Sequence, residues 1–190
     1  MSYYDPYPAL YIDRPKVLVG SIGAGIALTG ASASAMLGLP FIDIDRLVEH
    51  EFGGDFRDVI RQQGWKRWRE TEYRMLRRAL SQQPAGIIAL GEGTLEDERC
   101  RELVLSQGEG WYLARNVFDA FGRLQTVWDS HRQRYPMFAD LPSMQELQRL
   151  IAQRSAGYRL MPNAEDVSGL HPHVVARRLV STWGLWDAPA

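Results

Sequence analysis

The chain has 190 residues, 45% of them hydrophobic, which is enough to bury one full core and short for two domains. Its 22 basic and 23 acidic residues leave a net charge of −1, so composition makes no electrostatic case for nucleic acid or an anionic membrane as partner. A single cysteine, Cys100, excludes an intramolecular disulfide and fits a reducing compartment. No apolar run reaches the ~20 residues of a membrane span, and no basic segment followed by an apolar core opens the chain, so a cytoplasmic protein is expected. Residues 1–15, rich in proline and tyrosine, read as an irregular arm ahead of a single domain over 16–190.

An apolar strand from Lys16 to Gly20 leads into Gly20-Ser-Ile-Gly23-Ala-Gly25, and a small-residue helix is expected to begin near Ile26. Strand, glycine loop and helix in that order are the context of a phosphate-binding P-loop, G-x-x-x-x-G-K-[ST]. Gly20 and Gly25 match its glycines. Ile26 stands where a lysine should meet the phosphates, and Ala27 where a hydroxyl should hold Mg²⁺. Thr29 is no substitute, because two residues along a helix is roughly 200° around its axis.

Downstream, Gly38 to Asp45 reads as a short strand broken at Pro40, with Asp43 and Asp45 on one face. Helical periodicity follows over 46–52 and 56–80, the second stretch interrupted near Gly64. Residues 86–90 form a buried type of strand closed by Gly91-Glu92-Gly93, and 110–114 form another. Helices are expected over 117–131 and 143–158, separated by a loop around Arg134-Tyr135-Pro136, and over 171–184, where His171-Pro172 marks the start. This alternation predicts an α/β fold with a parallel sheet covered on both faces, and ligands at the carboxyl ends of its strands. The Gly20 loop, Asp43, Asp45 and the Gly91-Glu92-Gly93 turn all fall at such ends.

Taken together, these segments resemble the shikimate kinases, small P-loop enzymes related to the nucleoside monophosphate kinases. The carriers are Gly20 to Leu28, Leu39-Pro-Phe-Ile-Asp43-Ile-Asp45, Gly64-Trp-Lys-Arg-Trp68-Arg69-Glu70-Thr71-Glu72, Gly91-Glu92-Gly93, Tyr135-Pro136-Met137 and Arg154 to Tyr158. The resemblance implies that Asp45 accepts hydrogen bonds from substrate hydroxyls and that Arg69 and Arg154 hold the carboxylate of a small cyclic hydroxy acid, beside the backbone of Gly91 and Gly93. Chemically this suits such a ligand, since guanidinium grips carboxylate and aspartate accepts from hydroxyls. Alone, Arg69 would read as a surface arginine paired with Glu70 or Glu72, and Asp45 as a helix cap.

The nucleotide side departs from the family pattern. Its lysine is Ile26, its two hydroxyls are Ala27 and Leu28, its lid arginine aligns with Tyr135 beside Arg134, and its middle glycine is Glu92. Asp43 matches the metal-associated aspartate but lacks its hydroxyl partner. Three readings stay open. The first is a pseudokinase that binds a shikimate-like or quinate-like ligand through Asp45 and unpaired Arg69 and Arg154, or that has kept only the scaffold and acts through a protein partner. The second is altered chemistry with Glu92 and Asp45 as acid and base; the third is a true kinase with atypical contacts. ATP and Mg²⁺ are expected as cofactors only under the third, and no resident metal is expected under the others.

Overall fold

The computed structural model describes residues 10–185. Residues 1–9 of the expected arm lie outside that range, and 10–15 carry no helix or strand. Five parallel strands, β1 (Lys16–Gly20), β2 (Phe41–Asp43), β3 (Ile87–Ala89), β4 (Glu109–Ala114) and β5 (Asn163–Asp166), form one sheet in the order β2-β3-β1-β4-β5. Seven α-helices connect them: α1 (Ile26–Leu37), α2 (Ile44–Phe52), α3 (Phe56–Leu80), α4 (Glu98–Gln107), α5 (Val117–His131), α6 (Met144–Tyr158) and α7 (Pro172–Thr182).

Strand alternation decides which helix covers which face. Leu18, Ile87, Ala89 and Leu113 point to one side and are buried with Ala33 of α1 and Val175 and Leu179 of α7. Val17, Val19 and Ile88 point to the other and are buried with Val48 of α2, Trp68 and Leu76 of α3, and Val104 of α4. A third apolar cluster joins α5 and α6 through Ala120, Leu124, Trp128 and Leu147, with Ile22 of the glycine loop among them. The predicted parallel sheet with helices on both faces is thus the observed architecture. Because β1 sits between β3 and β4, the strand order reverses there, and the crevice outside its carboxyl end is the natural ligand position.

Some local expectations need correction. The strand does not run through Asp45: β2 ends at Asp43, and Asp45 lies in the first turn of α2. Asp43, not Asp45, is the helix cap, its Oδ1 accepting from the Arg46 amide at 3.3 Å. Two elements carried too little pattern to be read. β5 is the polar edge segment Asn-Ala-Glu-Asp and exists through its pairing with β4. Helix α4 buries only Cys100 and Val104. The interruption at Gly64 is real, with φ 76° and ψ 164° inside α3. Among the described residues no helix is long and apolar enough to cross a membrane.

Candidate binding site

A cleft of about 460 Å³ lies at the carboxyl ends of β1, β2 and β3, and its lining contains both Gly23, Gly25, Ile26, Ala27 and Leu28 and the residues Asp45, Arg69, Glu92 and Arg154. Gly20 is set back as the last residue of β1. Gly25 caps α1 in the left-handed region at φ 73°, a conformation that costs other residues about 1–2 kcal/mol, so the chain can turn directly from the loop into the helix. The loop backbone is therefore formed, but its side chains are hydrocarbon. Ile26 is 6% exposed and belongs to the apolar cluster of Leu18, Leu113 and Val175, while Leu28 is 55% exposed. Thr29 is fully buried on another side of the helix.

Asp45 enters the cleft from the first turn of α2, and Gly91 makes room for it. A Cβ at Gly91 would run into Asp45 Oδ1 and stand 2.9 Å from Glu72 Oε1; one at Gly93 would run into the Arg69 guanidinium. Both glycines are thus seats for charged side chains. Burial pushes the Asp45 carboxyl well above its ordinary range, reinforced by Glu72 and Asp43 and opposed by Arg134.

Arg69 and Arg154 reach the same cleft, from α3 and α6, but they are not the unpaired guanidiniums expected. Arg69 Nη1 donates to Glu72 Oε2 at 2.5 Å and Nη2 to Glu96 Oε2 at 3.4 Å, and its guanidinium lies 5.3 Å from the Trp65 ring. Arg154 Nε donates to Glu96 Oε1 at 2.6 Å. One carboxylate, that of Glu96, therefore bridges both arginines. Glu72 is fully buried, and its second oxygen accepts from Thr94 Oγ1 at 2.7 Å. The physical reason is desolvation: two guanidiniums this deep need counter-charges from the protein.

Glu92 stands opposite Arg154, with Arg154 Nη1 and Glu92 Oε2 3.9 Å apart. That is an ion pair without a hydrogen bond, and Arg154 Nη1 is buried with no hydrogen-bond partner in the structure. The Glu92 backbone is anchored where its carbonyl accepts from the Tyr158 hydroxyl at 2.5 Å. Burial raises the Glu92 carboxyl to about 7, against the pull of Arg154 and Arg134.

Arg134, at the end of a short 3-10 turn over Arg132–Arg134, lines the cleft, as does Tyr135, which stacks on Trp128 with ring centroids 6.1 Å apart. Sequence reasoning missed Glu96, which pairs with both arginines, and Arg123 and His131 of α5, which line the cleft. Arg123, Val127 and His131 at intervals of four form a stripe on one helix face, a signal that was readable. Glu96 had no such signal.

A sequence profile described as shikimate kinase matches residues 22–183. The shikimate kinase 2 of Dickeya chrysanthemi is 27% identical over 146 residues, covering 77% of this chain and 82% of that protein. A shikimate kinase from Acinetobacter baumannii, solved in complex with shikimate, superposes with a TM-score of 0.80 at 22% identity, covering 90% of this chain and 92% of that one. One from Bacteroides thetaiotaomicron gives 0.75 at 20% identity over 90% and 98% of the two chains. A profile match over most of its length, on the parallel sheet and glycine loop described above, means that this chain belongs to the shikimate kinase family.

Proposed function

We propose that this family member no longer transfers a phosphoryl group from ATP and instead binds a small polyhydroxylated ring of the shikimate type in the substrate half of the cleft. The observation that carries the reading is the run Ile26-Ala27-Leu28 at the start of α1, which presents only hydrocarbon to the cleft where ATP and Mg²⁺ need an ammonium and hydroxyls. ATP with Mg²⁺ does not fit this residue set. Each lost charge-assisted contact is worth about 1.5–3 kcal/mol, and every ~1.4 kcal/mol of barrier is tenfold in rate, so losing the lysine and one hydroxyl suppresses transfer by roughly 10² to 10⁴. Asp45 and the two arginines, by contrast, still line the cleft.

The test has two arms. A coupled assay with ATP, Mg²⁺ and shikimate is expected to stay at background; turnover near the ~1–100 s⁻¹ ordinary for kinases, abolished by Asp43→Asn, overturns the loss of transfer. Calorimetry with cyclic polyhydroxy compounds is expected to give heat with the wild type and weaker binding with Arg69→Ala. No heat with any ring overturns the binding half and leaves a scaffold that acts through a protein partner.

One observation favours a second reading, acid and base chemistry between Glu92 and Asp45: both carboxyls are raised, one of them to about 7. It predicts a ring that is chemically changed with no nucleotide present.

A further inference from the structure

We propose that the ring taken up by this cleft is neutral, because Glu96 already bridges the two arginines that would hold a ligand carboxylate and Glu92 with Arg154 forms a seat for a hydroxyl group. The proposal rests on the reading that the substrate half of the cleft binds a ring, and it names the chemical class.

Two independent observations carry it. The first is the bridge: Glu96 Oε1 accepts from Arg154 Nε at 2.6 Å, and Glu96 Oε2 from Arg69 Nη2 at 3.4 Å. A carboxylate spanning two guanidiniums is the contact that an acidic ligand would make, and here the protein makes it itself. With Glu72 also on Arg69 at 2.5 Å, a carboxylate that spanned both guanidiniums would have to displace one anion and approach another.

The second is the gap between Arg154 Nη1 and Glu92 Oε2. The nitrogen is a buried donor without a hydrogen-bond partner, and the oxygen 3.9 Å away is an acceptor. A hydroxyl oxygen placed between them accepts from the arginine and donates to the glutamate, satisfying both. A ligand carboxylate can accept from the arginine but has no proton for the glutamate, and the two anions repel. Asp45 adds a further acceptor for ring hydroxyls, and the burial of Asp45 and Arg154 makes an unmatched charge costly there. Acceptors and a paired arginine thus favour hydroxyl-bearing, uncharged rings over acids of the same shape.

The experiment compares shikimate with its analogue in which the carboxylate is reduced to hydroxymethyl, by calorimetry at pH 8, on the wild type, Glu92→Gly and the double variant Glu92→Gly/Glu96→Gln. At pH 8 the Glu92 carboxyl, raised to about 7, is mainly ionised. The wild type is expected to bind the hydroxymethyl analogue at least about tenfold more tightly than shikimate, the factor that corresponds to ~1.4 kcal/mol. Glu92→Gly is expected to narrow that gap and the double variant to reverse it. Because Glu96→Gln leaves the arginines less well paired, a thermal melt checks folding, and the wild-type comparison stands by itself if the variant fails to fold. Tighter binding of shikimate by the wild type overturns the inference while leaving ring binding intact. Binding of neither compound by the wild type and by Glu92→Gly overturns the ring-binding reading as well.

Discussion

Gly91 and Asp45 are in such close contact that a Cβ on the glycine would clash with the Asp45 Oδ1 atom. The site therefore depends on a hydrogen atom at this position as much as on the carboxylate. Gly91→Ala must push Asp45 aside or move the turn after β3, and overpacking of this kind costs about 1–3 kcal/mol. Chemical denaturation is expected to show that loss, and calorimetry to show weakened ring binding. Unchanged stability and binding would mean that Asp45 has room to move and is not held by the turn.

The carboxyl beside it makes stability depend on pH. Burial raises Glu92 from 4.5 to about 7, with Arg154 and Arg134 opposing, and burial also raises Asp45. Between about pH 4.5 and 7 the folded protein holds a proton on Glu92 that the unfolded chain releases. Stability from this source is thus fully present below about pH 4.5, declines as pH rises, and is gone above about 7. At ~1.4 kcal/mol per pK unit the total for Glu92 is at most about 3.5 kcal/mol. Guanidinium denaturation at pH 5 and pH 8 should show the wild type weaker at pH 8 and Glu92→Gln with a smaller difference. Equal pH dependence in the two proteins would assign the effect to Asp45 or elsewhere.

Much of the architecture was readable from local pattern, because strand alternation and the glycine loop are short-range signals. Val17 and Val19 against Leu18 already divide the two faces of the sheet, and Gly25 marks the start of α1. β5 was not readable, since Asn163–Asp166 has no apolar face and is a strand only through β4. For the site, motif spacing named Asp45, Arg69, Glu92 and Arg154, and these residues line one cleft. The bridge between the two arginines was hidden for a physical reason. Glu96 is 27 residues from Arg69 and 58 from Arg154, so the bridge exists only once α3, α6 and the turn after β3 are packed together. The Glu72 partner, three residues from Arg69 on the same helix, was readable; the Glu96 bridge was not.

Glu72 is the deepest of those counter-charges. It is fully buried, with one oxygen on Arg69 Nη1 and the other receiving the Thr94 hydroxyl. Glu72→Gln keeps the volume but removes the charge and one acceptor, leaving Glu96 as the one carboxylate hydrogen-bonded to Arg69. Hydrogen bonds to charged groups are worth about 1.5–3 kcal/mol, so a loss of that size is expected in a denaturation experiment. Arg69→Ala in the Glu72→Gln background should cost less than in the wild type, because the ion pair is already lost. Strict additivity of the two changes would deny the coupling.

The last prediction concerns the loop. Ile26 is packed against Leu18, Leu113 and Val175, so a lysine there loses apolar contacts and must carry its ammonium out toward the cleft. Ile26→Lys is expected to lower stability by about 2–4 kcal/mol, the range for disrupted core packing. If the loop backbone is intact and only its charge and hydroxyl are missing, Ile26→Lys/Ala27→Ser should regain an affinity for phosphate, since the amides at the start of α1 remain. Thermal melts with and without Mg²⁺-ATP separate the cases: no shift for the wild type, and a clear rise for the double variant. Ligand at a hundredfold its dissociation constant stabilises by ~2.7 kcal/mol, well within detection. A wild-type melt that rises as much as the variant's would show that Ile26 and Ala27 do not prevent nucleotide binding.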